Sequence, residues 1–77
     1  MCKFVWVVIF YFRSGNRDVF GVFASREKAI EAIEQAAKDW NEYLPKSWKT
    51  NYFVNVYSDK HLTEPTGSYA IRPYKLQ

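Results

Sequence analysis

Phe4 to Phe12 reads F-V-W-V-V-I-F-Y-F, nine consecutive apolar residues of which five are aromatic. A half-buried strand alternates apolar and polar residues, because successive side chains point to opposite faces of a sheet. This run is apolar on both faces, so each face needs a cover. In 77 residues there is room for one helix, and one helix covers one face. The chain is therefore expected to fold with a large apolar surface left over.

Other origins for the run fit less well. Lys3 followed by nine apolar residues has the length of a signal-peptide core, but Arg13-Ser14-Gly15-Asn16-Arg17 follows instead of a small-residue cleavage site. Nine residues are too few to cross a bilayer as a helix. β-Branched and aromatic residues favour a strand. With the single cysteine Cys2, no internal disulfide framework is available, and a cytoplasmic protein is expected. Cys2 is read as a frayed terminus rather than a reactive thiol.

Ser14-Gly15-Asn16 is a turn signal, so strands Lys3–Phe12 and Asp18–Phe23 form a hairpin. Gly21 marks a bulge or a close packing contact. Ser25 suits a helix N-cap, followed by Glu27 in the first turn. The apolar positions Ala29, Ile30, Ile33, Ala36, Ala37, Trp40, Tyr43 and Leu44 keep helical spacing. That spacing predicts a helix to about Tyr43, ended by Pro45, with Glu34 and Lys38 paired on its outer face. A basic connector over residues 45–50 carries Trp48. Strand three is expected at Asn51–Ser58, a polar loop at Asp59–Gly67, and strand four from Ser68 to about Arg72. Pro73 suggests a sheet edge or a strand end. The whole is one α+β domain, ββαββ. A four-stranded antiparallel sheet is expected in the order 2-1-3-4, with one helix packed on one face.

The helix stripe is rich in Ala and Ile, so the modest side chains Val5, Val7 and Ile9 are placed under it. Tyr52, Val54, Val56, Tyr69 and Ile71 point the same way. The open face then collects Phe4, Trp6, Phe10, Phe12, Phe53, Asn55, Tyr57, Arg72 and Tyr74, with Arg13 and Trp48 on a basic rim. Contiguous apolar patches above a few hundred Å² are rare on monomers and mark interaction sites.

Catalytic chemistry is not legible. His61 is the only histidine. It stands in an Asp59-x-His61-x-x-Glu64 cluster that reads as a solvated loop before it reads as a metal site. There is no phosphate-binding glycine loop and no nucleophile elbow, so neither an enzyme nor a cofactor is expected. The net charge is +3, with the helix region 25–42 mildly acidic and the remainder basic, which is modest support for an anionic partner. Two uses of the open face follow. Aromatics and arginines are enriched at the centres of protein interfaces. A sheet with Phe10, Phe53 and Tyr57 as stacking platforms, and Arg13, Arg17, Lys49, Lys60 and Arg72 near phosphates, suits single-stranded nucleic acid. No RNP-type consensus accompanies it. A face-to-face homodimer is a third outcome.

The stretch Phe20-Gly21-Val22-Phe23-Ala24-Ser25-Arg26-Glu27-Lys28-Ala29 resembles a pattern in small uncharacterised bacterial and phage proteins, where a strand ending G-V-[FY]-S-S runs into a helix beginning R-E-K-A. Tyr52-Phe53-Val54-Asn55-Val56-Tyr57 and His61-Leu62-Thr63-Glu64 are similar to the C-terminal half of the same family. The resemblance covers about half the chain and departs from it in the long aromatic first strand. It implies a ββα-type fold and a phage or mobile-element origin, and supplies no activity. Phage proteins of this size often block a host protein. A non-enzymatic protein-binding module is therefore expected, in its most concrete form an inhibitor of a host or defence complex of the anti-CRISPR kind. Such a module would bind a host protein or complex, with no membrane partner.

Overall fold

The computed structural model describes residues 3–76; Cys2 lies outside them. Its elements are β1 (Lys3–Phe12), β2 (Arg17–Phe23), α1 (Arg26–Asp39), a single 3-10 turn (Trp48–Thr50), β3 (Phe53–Tyr57) and β4 (Pro65–Leu76). The fold is α+β, with one four-stranded antiparallel sheet and one α-helix. The apolar run is β1, and β2 and β4 flank it along its length.

The β1–β2 hairpin closes through Gly15, whose φ of 100° only glycine adopts without strain. Gly15 N–H donates to Phe12 O at 3.0 Å, and Phe12 N–H to Asn16 O at 2.7 Å. Val8 pairs with Gly21 but Ile9 pairs with Val19, so Phe20 is the extra residue of a β-bulge beside Gly21. In α1, Ser25 holds extended backbone (φ −144°, ψ 161°) and its Oγ accepts from Lys28 N–H at 3.2 Å. The helix ends at Asp39, four residues before the expected Tyr43. Asn41 takes a left-handed φ of 53°. Glu42 N–H then donates to Ala37 O at 2.7 Å, and Asn41 N–H to Lys38 O at 3.3 Å. These two bonds form a Schellman motif with asparagine in the usual glycine position; Pro45 comes too late to end the helix.

The sheet order is β2-β1-β4-β3, not 2-1-3-4. The reason lies in residues 40–52. Tyr43 bridges Tyr57 at the far end of β3, and the Arg26 guanidinium at the helix start donates to Lys49 O and Asn51 O. The connector thus runs back along the whole helix before β3 begins. β3 then runs parallel to β1 and cannot take an antiparallel place beside it, so β4 does. β4 is consequently interior, and Pro73 is tolerated there by parity. Ile71 N–H donates toward the β3 side, to Tyr52 O at 2.8 Å. Two residues on, the missing Pro73 N–H would point past the start of β3, where no ladder bond is lost.

The core lies between helix and sheet: Val8, Ala29, Ile30, Ile33, Trp48, Val54, Val56, Tyr69 and Ile71, with Trp6, Phe10, Phe23 and Leu44 packed around it. Trp48 is 4% exposed. It fills the gap between connector and helix, which corrects its expected place on the rim. The parity of β1 is also the reverse of the expectation. Trp6, Val8 and Phe10 face the helix, and Val5, Val7 and Ile9 face away. The buried helix residues are two alanines and two isoleucines. So slim a stripe leaves a thick gap, and close packing fills it with large rings from the sheet. Phe10 is accommodated because Gly67 has no side chain: a Cβ there would overlap the Phe10 ring.

Candidate functional site: the open face of the sheet

Directly paired residues project to the same side, so the uncovered face can be read row by row from the register. One row is Val22-Val7-Arg72, the next Val19-Ile9-Ala70-Phe53, and the third Arg17-Tyr11-Ser68-Asn55; Val5 and Tyr74 extend it beyond the first. Its centre is aliphatic. Val19, Val22 and Phe53 are 59%, 60% and 53% exposed. Ala70 is only 1% exposed, closed in by Ile9 and Phe53 on the flanking strands. The aromatic side chains surround that centre: Phe53 at the β3 edge of the central row, Tyr11 and Tyr74 toward the ends. The Tyr11 and Phe53 rings lean together at 6.1 Å, tilted 45°. The Ser68 hydroxyl donates to Asn55 Oδ1 at 2.6 Å and ties the amide to the neighbouring strand. Among the described residues, these rows carry two cations, Arg17 and Arg72, and no carboxylate.

An open apolar face is therefore present, as expected, but its composition is different. Phe53, Asn55, Arg72 and Tyr74 lie on it, and Tyr57 follows at the half-buried end of β3. Phe4, Trp6, Phe10 and Phe12 are on the helix side. Arg13 is in the hairpin turn, where its guanidinium lies 3.7 Å from the Glu64 carboxylate across exposed surface. The residues missed were Val5, Val7, Ile9, Tyr11, Val19 and Val22. Val19 and Val22 are three residues apart and would alternate to opposite faces; the bulge at Phe20, beside Gly21, turns both to the open face, and the Gly21 bulge signal is what could have found them.

Two further basic residues, Lys49 and Arg26, are occupied by structure. Lys49 Nζ is 3.4 Å from Glu34, which pairs there rather than with the expected Lys38. Arg26 bonds the connector carbonyls and lies over the Tyr52 ring at 5.2 Å, while Tyr52 stacks on Trp6 at 6.3 Å. In the Asp59–Glu64 loop, the Asp59 carboxylate accepts from Thr63 Oγ1 at 2.8 Å, Thr63 N–H at 3.0 Å and Glu64 N–H at 3.1 Å. The Thr63 hydroxyl bond, joined by the backbone N–H donors, holds Asp59 below the usual carboxylate range. Asp59 and Glu64 are thus engaged in loop closure and an ion pair, and His61 stands exposed between them. No cluster of three or more metal-ligating side chains occurs among the described residues. No helix among them is long and apolar enough to cross a membrane.

Comparison with protein-family models, curated proteins and solved structures returns no match.

Proposed function

We propose that this chain is a non-enzymatic protein-binding module that docks another protein through the open face of its sheet. The observation that carries the reading is the aliphatic centre of that face, Val7, Ile9, Val19 and Val22, left uncovered on a chain whose helix is already spent on the other side. A preformed sheet loses little freedom on docking, which favours affinity. The charge pattern indicates the kind of partner. Two arginines without a carboxylate suit an apolar surface edged by acidic residues. A second copy of the chain would bring four guanidinium groups together with nothing to neutralise them. Single-stranded nucleic acid is less well supported, because Phe10 is under the helix and the face centres on valine and isoleucine, which offer no stacking platform. The narrower form, an inhibitor of a host or defence complex, rests on the chain's size and on the sequence resemblance.

The test is affinity capture from nuclease-treated host lysate with the wild type, Val19→Lys and Phe53→Ser, alongside sedimentation velocity of each. A monomer that retains a defined protein, lost in both variants at unchanged circular dichroism, is the expected result. Identical capture by wild type and variants would overturn the reading. Self-association abolished by the same substitutions would replace it with the homodimer.

A further inference from the structure

The helix side of the sheet has a second feature. α1 has 14 residues and spans about 21 Å, whereas β1 has 10 and spans about 33 Å. The helix ends short of the hairpin, and a cleft of about 370 Å³ opens beyond its C-terminus. Phe10 and Tyr69 form its floor, in edge contact at 4.9 Å. Phe12 and Phe20 wall it, each edge-on to a floor ring: Phe12 to Phe10 at 4.9 Å and Phe20 to Tyr69 at 5.2 Å. Trp40 closes it from the helix terminus, and 76% of its surface is exposed. An indole so placed is not there to fill the core. The Schellman turn that fixes Trp40 also carries Glu42 into the cleft, where its Oε2 accepts from the Thr66 hydroxyl at 2.7 Å. Asp18 lines it as well, its Oδ1 accepting from Val19 N–H at 2.9 Å.

We propose that this cleft is a binding site for a single alkylammonium group. Five aromatic rings present π-electron density, which attracts cations. The two charged residues lining the cleft are both carboxylates, and no lysine or arginine lines it. A neutral apolar guest would be held by the rings alone and would gain nothing from Glu42 and Asp18, while an anion would be repelled. The volume is at the small end of the range for ligand pockets and suits a headgroup or one side chain. The cleft opens on the helix side of the sheet; Val19, on the edge strand, borders both it and the docking face, and the site stands without that face. The ammonium has two natural sources, a free small molecule or a methylated lysine on a peptide.

The experiment is titration of the full-length protein followed by isothermal calorimetry, with the Trp40 indole N–H resonance of the wild type locating the site. The probes are choline, its neutral isostere 3,3-dimethylbutan-1-ol, and one short peptide with either trimethyllysine or lysine. Choline or the trimethyllysine peptide should bind roughly tenfold or more tighter than the neutral isostere. Tighter binding of choline assigns the site to a small molecule, and tighter binding of the methylated peptide assigns it to a protein side chain. Trp40→Ala and Glu42→Gln should each weaken that binding roughly tenfold; Trp40 is exposed, so its removal leaves the fold intact. Equal affinity for choline and its neutral isostere would overturn the proposal. So would unchanged binding in Trp40→Ala, or no response to choline and both peptides.

Discussion

Gly67 and Tyr69 show how closely single side chains set this structure. Gly67 is paired with both Phe12 and Val56, and the space its side chain would take is filled by the Phe10 ring. Gly67→Ala forces that ring out of its well and is expected to cost about 1–3 kcal/mol, the usual penalty of overpacking, read as a shift in the urea midpoint. Tyr69 reports on its surroundings through its hydroxyl. Burial, reinforced by the Glu42 carboxylate, pushes its pKa up to about 12 from the ordinary 10. A folded-state pKa above the unfolded one favours the protonated fold. The contribution is fully present below pH 10 and is lost as the pH rises toward 12. Wild type should therefore lose stability through that interval, and Tyr69→Phe should lose less, measured by circular dichroism at matched denaturant. Equal losses would place the Tyr69 hydroxyl in water.

The secondary elements were largely legible, because each is specified locally. Hairpin, N-cap and helix start follow from Ser14-Gly15-Asn16 and Ser25, and the inward sets of β3 and β4 from their alternation. The helix end was not legible. It depends on Asn41 adopting a left-handed conformation, which asparagine tolerates but does not announce. Asn41→Gly is expected to raise stability by about 0.5 kcal/mol by relieving that conformation, whereas Pro45→Ala should leave the helix length unchanged by amide exchange. The connector was misjudged in the same way. Its length looks like a loop, but buried Trp48 and the Arg26 bonds to Lys49 O and Asn51 O make it a packed return path, and that path decides the strand order. Trp48→Ala should cost about 3–5 kcal/mol, a large share of the stability of a domain this size, whereas a purely rim-located tryptophan would cost almost nothing in thermal denaturation.

The molecule as a whole is a sheet with one covered face, and which face is covered could not be read from β1 itself. Both of its parities are apolar, and alternation carries no sign when nothing alternates. The deciding quantity is volume: an Ala-rich helix stripe leaves a gap that rings fill and valines do not. Part of the docking surface was legible nonetheless, since Phe53, Asn55, Arg72 and Tyr74 lie where the alternation of β3 and β4 puts them. The nine-residue run thus supplies both layers, its rings to the core and its valines and isoleucine to the open face.

That division is most directly tested by methyl-resolved NMR with a soluble nitroxide added to the free protein. The methyls of Val5, Val7, Ile9, Val19 and Val22 should broaden together, while those of Val8, Ile33, Val54, Val56 and Ile71 stay sharp. Protection of Val5, Val7 and Ile9 at every protein concentration, with broadening at Val8, would contradict the fold's parity and remove the docking face with it.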